Sequence, residues 1–112
     1  MAILSKEQIL AASDLKRVTV AMPEWGGEVI LQEMTLEQRL SFEQALDPEG
    51  NNMRCAIVAF CAVNEAGELL FTLEDVQALA KKNGKAIIRL SSKAIRLNRV
   101  QEREIEAEKE NF

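Results

Sequence analysis

The stretch Asn52-Met53-Arg54-Cys55-Ala56-Ile57-Val58-Ala59-Phe60-Cys61-Ala62-Val63-Asn64 decides the fold. From Cys55 to Val63 it runs nine apolar residues without a break. A membrane helix needs roughly 20, so the run belongs inside a folded domain. Read as a helix over about residues 52–64, capped by Asn51 or Asn52, it is apolar on every side after Arg54. A helix of that kind is buried. It is predicted to be the central element, which the rest of the chain must cover; the alternative is that one of its sides is a surface for self-association. Cys55 and Cys61 lie six residues apart, about 600° of helix, so their thiols point to different faces. They are read as two free core thiols, not as a disulfide or a metal site.

Outward from this run the chain punctuates itself with helix caps. Ser5-Lys6-Glu7-Gln8, Thr35-Leu36-Glu37-Gln38 and Thr72-Leu73-Glu74-Asp75 are capping boxes, the last opening a fourth helix. The first predicts a short helix over about 6–12, stapled by Leu4 and Ile9, which must dock or fray. The second predicts a helix to about Leu46, with Leu36, Leu40 and Ala45 or Leu46 near one face and Phe42 beside it. The third predicts a helix to about Lys81, stopped by a C-cap at Asn83-Gly84. Between the first two, Val18, Val20 and Met22 alternate, Pro23-Glu24-Trp25-Gly26-Gly27 supplies turn chemistry, and Glu28–Met34 reads as a second strand. A β-hairpin follows. Glu68-Leu69-Leu70-Phe71 is read as extended and able to pair with it. The fold class is thus mainly α with a small N-terminal β-hairpin (α+β), about four to five helices around the central apolar one. Residues 1–100 form one domain, and 101–112 a charged C-terminal helical extension or frayed tail.

Of the 112 residues, 47% are apolar and 29% charged, the balance of a globular chain. The first residues lack the basic and apolar regions of a signal peptide, so none is expected. There is no His and no Tyr, which removes His-based catalysis and His-ligated zinc. No Walker loop, GxGxxG or GxSxG occurs. The acidic residues fall at helix starts and exposed positions. No catalytic, cofactor-binding or metal-binding residue is assigned, and the chain is not expected to be an enzyme.

Charge is segregated. In residues 1–80, thirteen acidic residues against five basic leave −8; residues 81–99 hold seven basic and no acidic residues; residues 101–112 carry five Glu against Arg103 and Lys109. On a helix from about Lys85, the side chains of Lys85, Arg89, Lys93 and Arg96 share an arc of about 80°, with Arg99 beside them, opposite Ile87, Leu90, Ala94 and Leu97. This basic stripe is either a solvated helix face or a docking surface for an acidic partner, and is expected to serve association more than folding. With a pI near 4.9 and no aromatic between Phe71 and Phe112, nucleic acid is disfavoured. Trp25, on the hairpin turn, is either folded back onto the hairpin or a contact anchor.

The opening run MAILSKEQILAASDLK, the segment PEWGGEVILQEMTLEQR from Pro23 to Arg39, the Asn-Asn-Met-Arg start of the apolar helix, and Asn64–Phe71 running into Thr72–Leu79 resemble, in this order, the tail assembly chaperones of long-tailed, non-contractile phages and prophages. The resemblance covers about residues 1–100. It implies a non-enzymatic protein of the host bacterial cytoplasm, absent from the mature virion. Such a protein binds the tape measure protein and keeps it soluble until the tail tube polymerises, here as the short form of a frameshifted pair. Implied partners are the tape measure protein, with the tail tube protein and weakly associating copies of the chain as further candidates, and no membrane. The segregated charge would suit head-to-tail stacking of copies. The family carries no short catalytic signature, so no functional residue transfers by motif. The alternative function is a small regulatory or nucleic-acid-binding module using the basic helix 85–99.

Overall fold

A computed structural model describes residues 2–99. The charged extension expected over 101–112 lies outside the described residues. Along the chain come α1 (Lys6–Ala11), β1 (Arg17–Met22), a 3-10 turn (Pro23–Trp25), β2 (Gly27–Gln32), α2 (Leu36–Ala45), α3 (Met53–Cys61), β3 (Ala62–Val63), a second 3-10 turn (Leu73–Asp75), α4 (Val76–Leu79) and α5 (Gly84–Asn98). The strands form an antiparallel sheet in the order β1-β2-β3. The expected α+β class holds.

The hairpin pairs as the alternation requires, from Arg17↔Gln32 to Met22↔Gly27. Val20, Met22 and Leu31 turn inward and are buried. Pro23 fixes the start of the turn, and Gly26 closes it at φ 77°, a left-handed conformation that a side chain disfavours. The predicted capping boxes at Ser5 and Thr35 are made in full. Ser5 Oγ accepts from Gln8 N–H while Gln8 Oε1 accepts from Ser5 N–H. Thr35 and Gln38 do the same.

The apolar run is the core, as expected: Ala56–Val63 are all buried. It does not remain helical to residue 64. At Ala62 the backbone becomes extended, and Ala62 and Val63 pair with Leu31 and Ile30. An apolar run buried on all sides has no periodicity to separate helix from strand; here β2 needs a partner on its inner edge and takes one from the end of α3. The chain then turns through Asn64–Gly67, and Leu70 N–H returns to Ala62 O at 2.9 Å. Residues 68–71 therefore reach the sheet through β3, with Leu69 bridging Val63, not by pairing directly with the hairpin. At Gly67 (φ 85°) a Cβ would stand 2.7 Å from Arg17 Nη2, so this turn is closed beneath the arginine.

Three further expectations are corrected. In α2 the inward side chain is Phe42, 1% exposed, whereas Leu36 is 74% and Leu40 51% exposed. Phe42 lies about 160° round the helix from Leu40, and it meets Phe60 edge-on at 6.1 Å. One aromatic face with a matching partner outweighs two leucines without one. The Thr72 segment is a 3-10 turn, with Thr72 N–H donating to the Asp75 carboxylate at 2.8 Å, followed by only four residues of α4. Asn83 does not end α4. Its Oδ1 accepts from Ala86 N–H at 3.0 Å and caps the start of α5, whose first residue is Gly84.

The helix α5 packs along α3 through Ala86, Ile87, Leu90 and Ala94. Two polar clamps set its register. Near the start of α3, Arg54 Nη1 donates to Ser91 Oγ (2.9 Å) and Ser92 Oγ (3.0 Å). At the end of α5, Asn98 Oδ1 accepts from Met34 N–H at 2.9 Å, and Asn98 Nδ2 donates to Ala94 O (2.9 Å) and Cys61 Sγ (3.2 Å).

Ile57→Asp or Phe60→Asp should unfold the protein, because an unpaired carboxylate in this core costs several kcal/mol, about the stability of a small domain. Leu36→Asp should keep native circular dichroism and change stability by less than about 0.5 kcal/mol. Asn98→Ala strands the Met34 N–H and should cost about 1–3 kcal/mol in urea unfolding.

Candidate interaction surface

The sequence-predicted residues lie on two elements that the fold brings together. Lys85, Lys93 and Arg96 project from α5 and are exposed. Arg96, in the last turn, is favourably placed at the negative end of the helix dipole. Arg99 is the C-cap, left-handed at φ 55°, and exposed. Arg89 is drawn off the stripe. Its guanidinium grips Glu24 in a two-pronged pair, Nη1 to Oε2 at 2.8 Å and Nη2 to Oε1 at 2.5 Å, and Nη2 also reaches Met22 Sδ at 3.4 Å. The hairpin tip is thereby latched to the middle of α5. Arg89 thus makes an intramolecular ion pair, while Lys85, Lys93 and Arg96 stay exposed.

The latch also places Trp25. The indole is half-buried against the core and lines a cleft of about 420 Å³ with Leu70, Phe71, Asp75, Ala78, Leu79 and Lys82. Of the two readings of Trp25, folded back or contact-forming, the fold gives it one face against the core and one on this cleft. Sequence reasoning missed the other walls. Leu70 and Phe71 follow the β3 turn, and Ala78, Leu79 and Lys82 belong to the short α4 and the link to α5. A smaller pocket of about 220 Å³, lined by Ala59, Phe60, Leu69, Phe71 and Leu73 among others, lies on the other side of Phe71. Leu69, Leu70 and Leu73 are exposed, so apolar surface runs from Trp25 across Phe71 to Leu73.

Neither cleft assembles chemistry. Among the described residues, no group of three or more His, Cys, Asp or Glu side chains is placed to hold a metal ion, and no helix is long and apolar enough to cross a membrane. Both cysteines are free thiols. Burial pushes the Cys61 thiol up to about 12, against the smaller opposing effect of the Asn98 amide. Burial also raises Cys55. Both are protonated and poorly nucleophilic at neutral pH.

The hydrogen bonds from Arg89 hold the Glu24 carboxyl below its ordinary value of 4.5. A carboxylate whose pKa is lowered on folding stabilises the fold above its unfolded value, and that contribution disappears as pH falls through the lowered one. Arg89→Gln should therefore melt below the parent at pH 7, and the gap should close once the solution is more acidic than the folded Glu24. Thermal melts of both proteins across pH check this.

A family model described as phage tail assembly chaperone matches residues 5–110. Among solved structures the chain is similar to the bacteriophage HK97 tail assembly chaperone, with a TM-score of 0.61 at 20% identity, over 81% of this chain and 90% of that one. At this identity the likeness speaks for the fold. No match is found among curated proteins. The family model spans every element from the first capping box through α5, so the chain belongs to the phage tail assembly chaperone family, whose members are non-enzymatic.

Proposed function

We propose that the protein binds the tape measure protein in the host cytoplasm and keeps it soluble until the tail tube polymerises, and that it is absent from the mature virion. Family membership across residues 5–110 carries this reading. The surface chemistry supports it. A long helical client needs many small covers that attach and release without covalent chemistry. Lys85, Lys93, Arg96 and Arg99 offer acidic client helices a cationic face on one rigid element, with no acidic residue between positions 81 and 99. Attraction of this kind is fast to form and readily reversed. Arg89 acts by holding the hairpin, and Trp25 supplies aromatic surface beside the face. The chain is the short form of a frameshifted pair under this reading, and a slippery heptanucleotide near its stop codon is the corresponding mark in the gene.

The double variant Lys93→Glu/Arg96→Glu leaves the Glu24–Arg89 pair and the core untouched, so it should stay folded, with a melting temperature lowered only slightly by the loss of a cation at the helix C-terminus. Co-expressed with the tape measure protein of the same genome, the parent should keep that protein soluble and co-purify with it. Capture by the double variant should fall severalfold at 0.1 M salt. Capture by the parent should weaken toward 1 M, as the Debye length shrinks from about 10 Å to about 3 Å. Equal capture by both proteins would reduce the stripe to a solvated helix face. A tape measure protein that stays insoluble with the parent would overturn the function itself.

A further inference from the structure

Beyond Arg99 the glutamates fall at every second position: Glu102, Glu104, Glu106, Glu108 and Glu110. Successive side chains of an extended chain point to opposite sides. An extended segment would therefore carry all five carboxylates on one edge, over about 27 Å at about 3.4 Å per residue, with Arg103, Ile105, Ala107 and Lys109 on the other. A helix gives the pattern no such use. At about 100° per residue the five fall in two groups on opposite sides of the axis. Glu102 with Glu106, Glu104 with Glu108, and Glu106 with Glu110 then become like-charged neighbours four apart, which destabilises a helix.

The fold offers that acidic edge a counterpart. Lys85, Lys93, Arg96 and Arg99 are exposed and make no ion pair among the described residues. They span about 21 Å along α5 at about 1.5 Å per residue. The helix stops at the end of this face. Asn98 is its last residue, and Arg99 turns left-handed at φ 55°, its N–H donating to Ile95 O and Arg96 O, a cap that ends helices. Continuing α5 into the glutamates would also load its negative end with negative charge. From Arg99 to Glu110, eleven steps of about 3.4 Å reach roughly 37 Å, enough to turn and run the length of the face. We propose that residues 102–110 dock, extended and antiparallel to α5, on the Lys85–Lys93–Arg96–Arg99 face of the same chain. Each exposed ion pair is weak, but a short tether sets an effective concentration in the millimolar range, so the contact forms within a chain before it forms between chains. The segment then competes with any acidic ligand for that face. That the ligand is the client protein rests on the function proposed above; the docking itself does not.

The test uses the full chain without the tape measure protein. A one-to-one mixture of chains with natural and with heavy nitrogen is treated at about 0.1 M salt with a carbodiimide, which joins a lysine amine to a carboxylate in contact with it. Lys93 and Lys85 should link to the five glutamates, Lys93 to those nearer Arg99, and each linked peptide should carry one isotope only. The links should disappear toward about 1 M salt, as charge is screened. Links carrying both isotopes would seat the segment on a second copy and overturn the proposal. So would links no more frequent than those of Lys6 and Lys16 to the same glutamates. Competition is read with poly-L-glutamate as the acidic probe. The variant Glu102→Gln/Glu104→Gln/Glu106→Gln/Glu108→Gln/Glu110→Gln frees the face but also raises the net charge by five. Its control is Glu7→Gln/Glu28→Gln/Glu37→Gln/Glu65→Gln/Glu74→Gln, the same change in charge at exposed positions elsewhere. Both should keep the circular dichroism of the parent. The first should bind the probe severalfold more tightly than the control, and equal binding by the two would overturn the competition.

Discussion

Eight consecutive side chains, Ala56–Val63, are all buried, and apart from the Cys61 thiol they carry no polar group. Covering them is the constraint on which the structure rests. The large ones each contribute roughly 1.5–3 kcal/mol when removed from water, but only if neighbours exist on every side. The hairpin covers one side, α5 another, and Phe42 of α2 a third. The helix-to-strand change at Ala62 lets one segment serve two layers, giving α5 and α2 a helix to pack on and β2 a strand to pair with.

What the sequence makes legible are features governed by neighbours in the chain. Ser5 with Gln8 and Thr35 with Gln38 lie three residues apart, and their caps form as read. Val18, Val20 and Met22 need only a period of two, and their burial follows. The misreadings concern choices made by distant residues. Nothing near Ala62 announces a strand; Leu31, thirty-one positions earlier, does. Nothing in α2 ranks Phe42 above Leu36 and Leu40, until Phe60 offers a ring at 6.1 Å. Asn83-Gly84 fits the end of one helix and the start of another equally well, and the length of α5 decided for the start.

The same limit applies to the candidate interaction surface. The basic residues of α5 and the exposed turn at Trp25 are visible as composition and periodicity, but the cleft is not. Its walls come from the hairpin turn and, more than forty positions later, from the return after β3 and from α4 with the link to α5. Asn98 was passed over for a related reason. Its importance lies in Met34 and Cys61, not in the residues beside it.

The division of charge along the chain has two consequences in the fold. Among the described residues, the acidic first part and the basic helix meet as one two-pronged ion pair, at Glu24 and Arg89, and that contact sets where the hairpin tip lies. The remaining cations of α5 face outward and keep their charge available. An exposed ion pair is usually a weak fastening. This one joins a turn whose backbone is already fixed by Pro23 and Gly26 to a helix already fixed by packing, so little freedom remains for the pair to restrict. Its leverage is positional, because the cleft loses one wall if the tip swings away. A small chain can therefore couple the shape of a cleft to its folding through one charged contact, with cations on one element and apolar walls on the elements beside it.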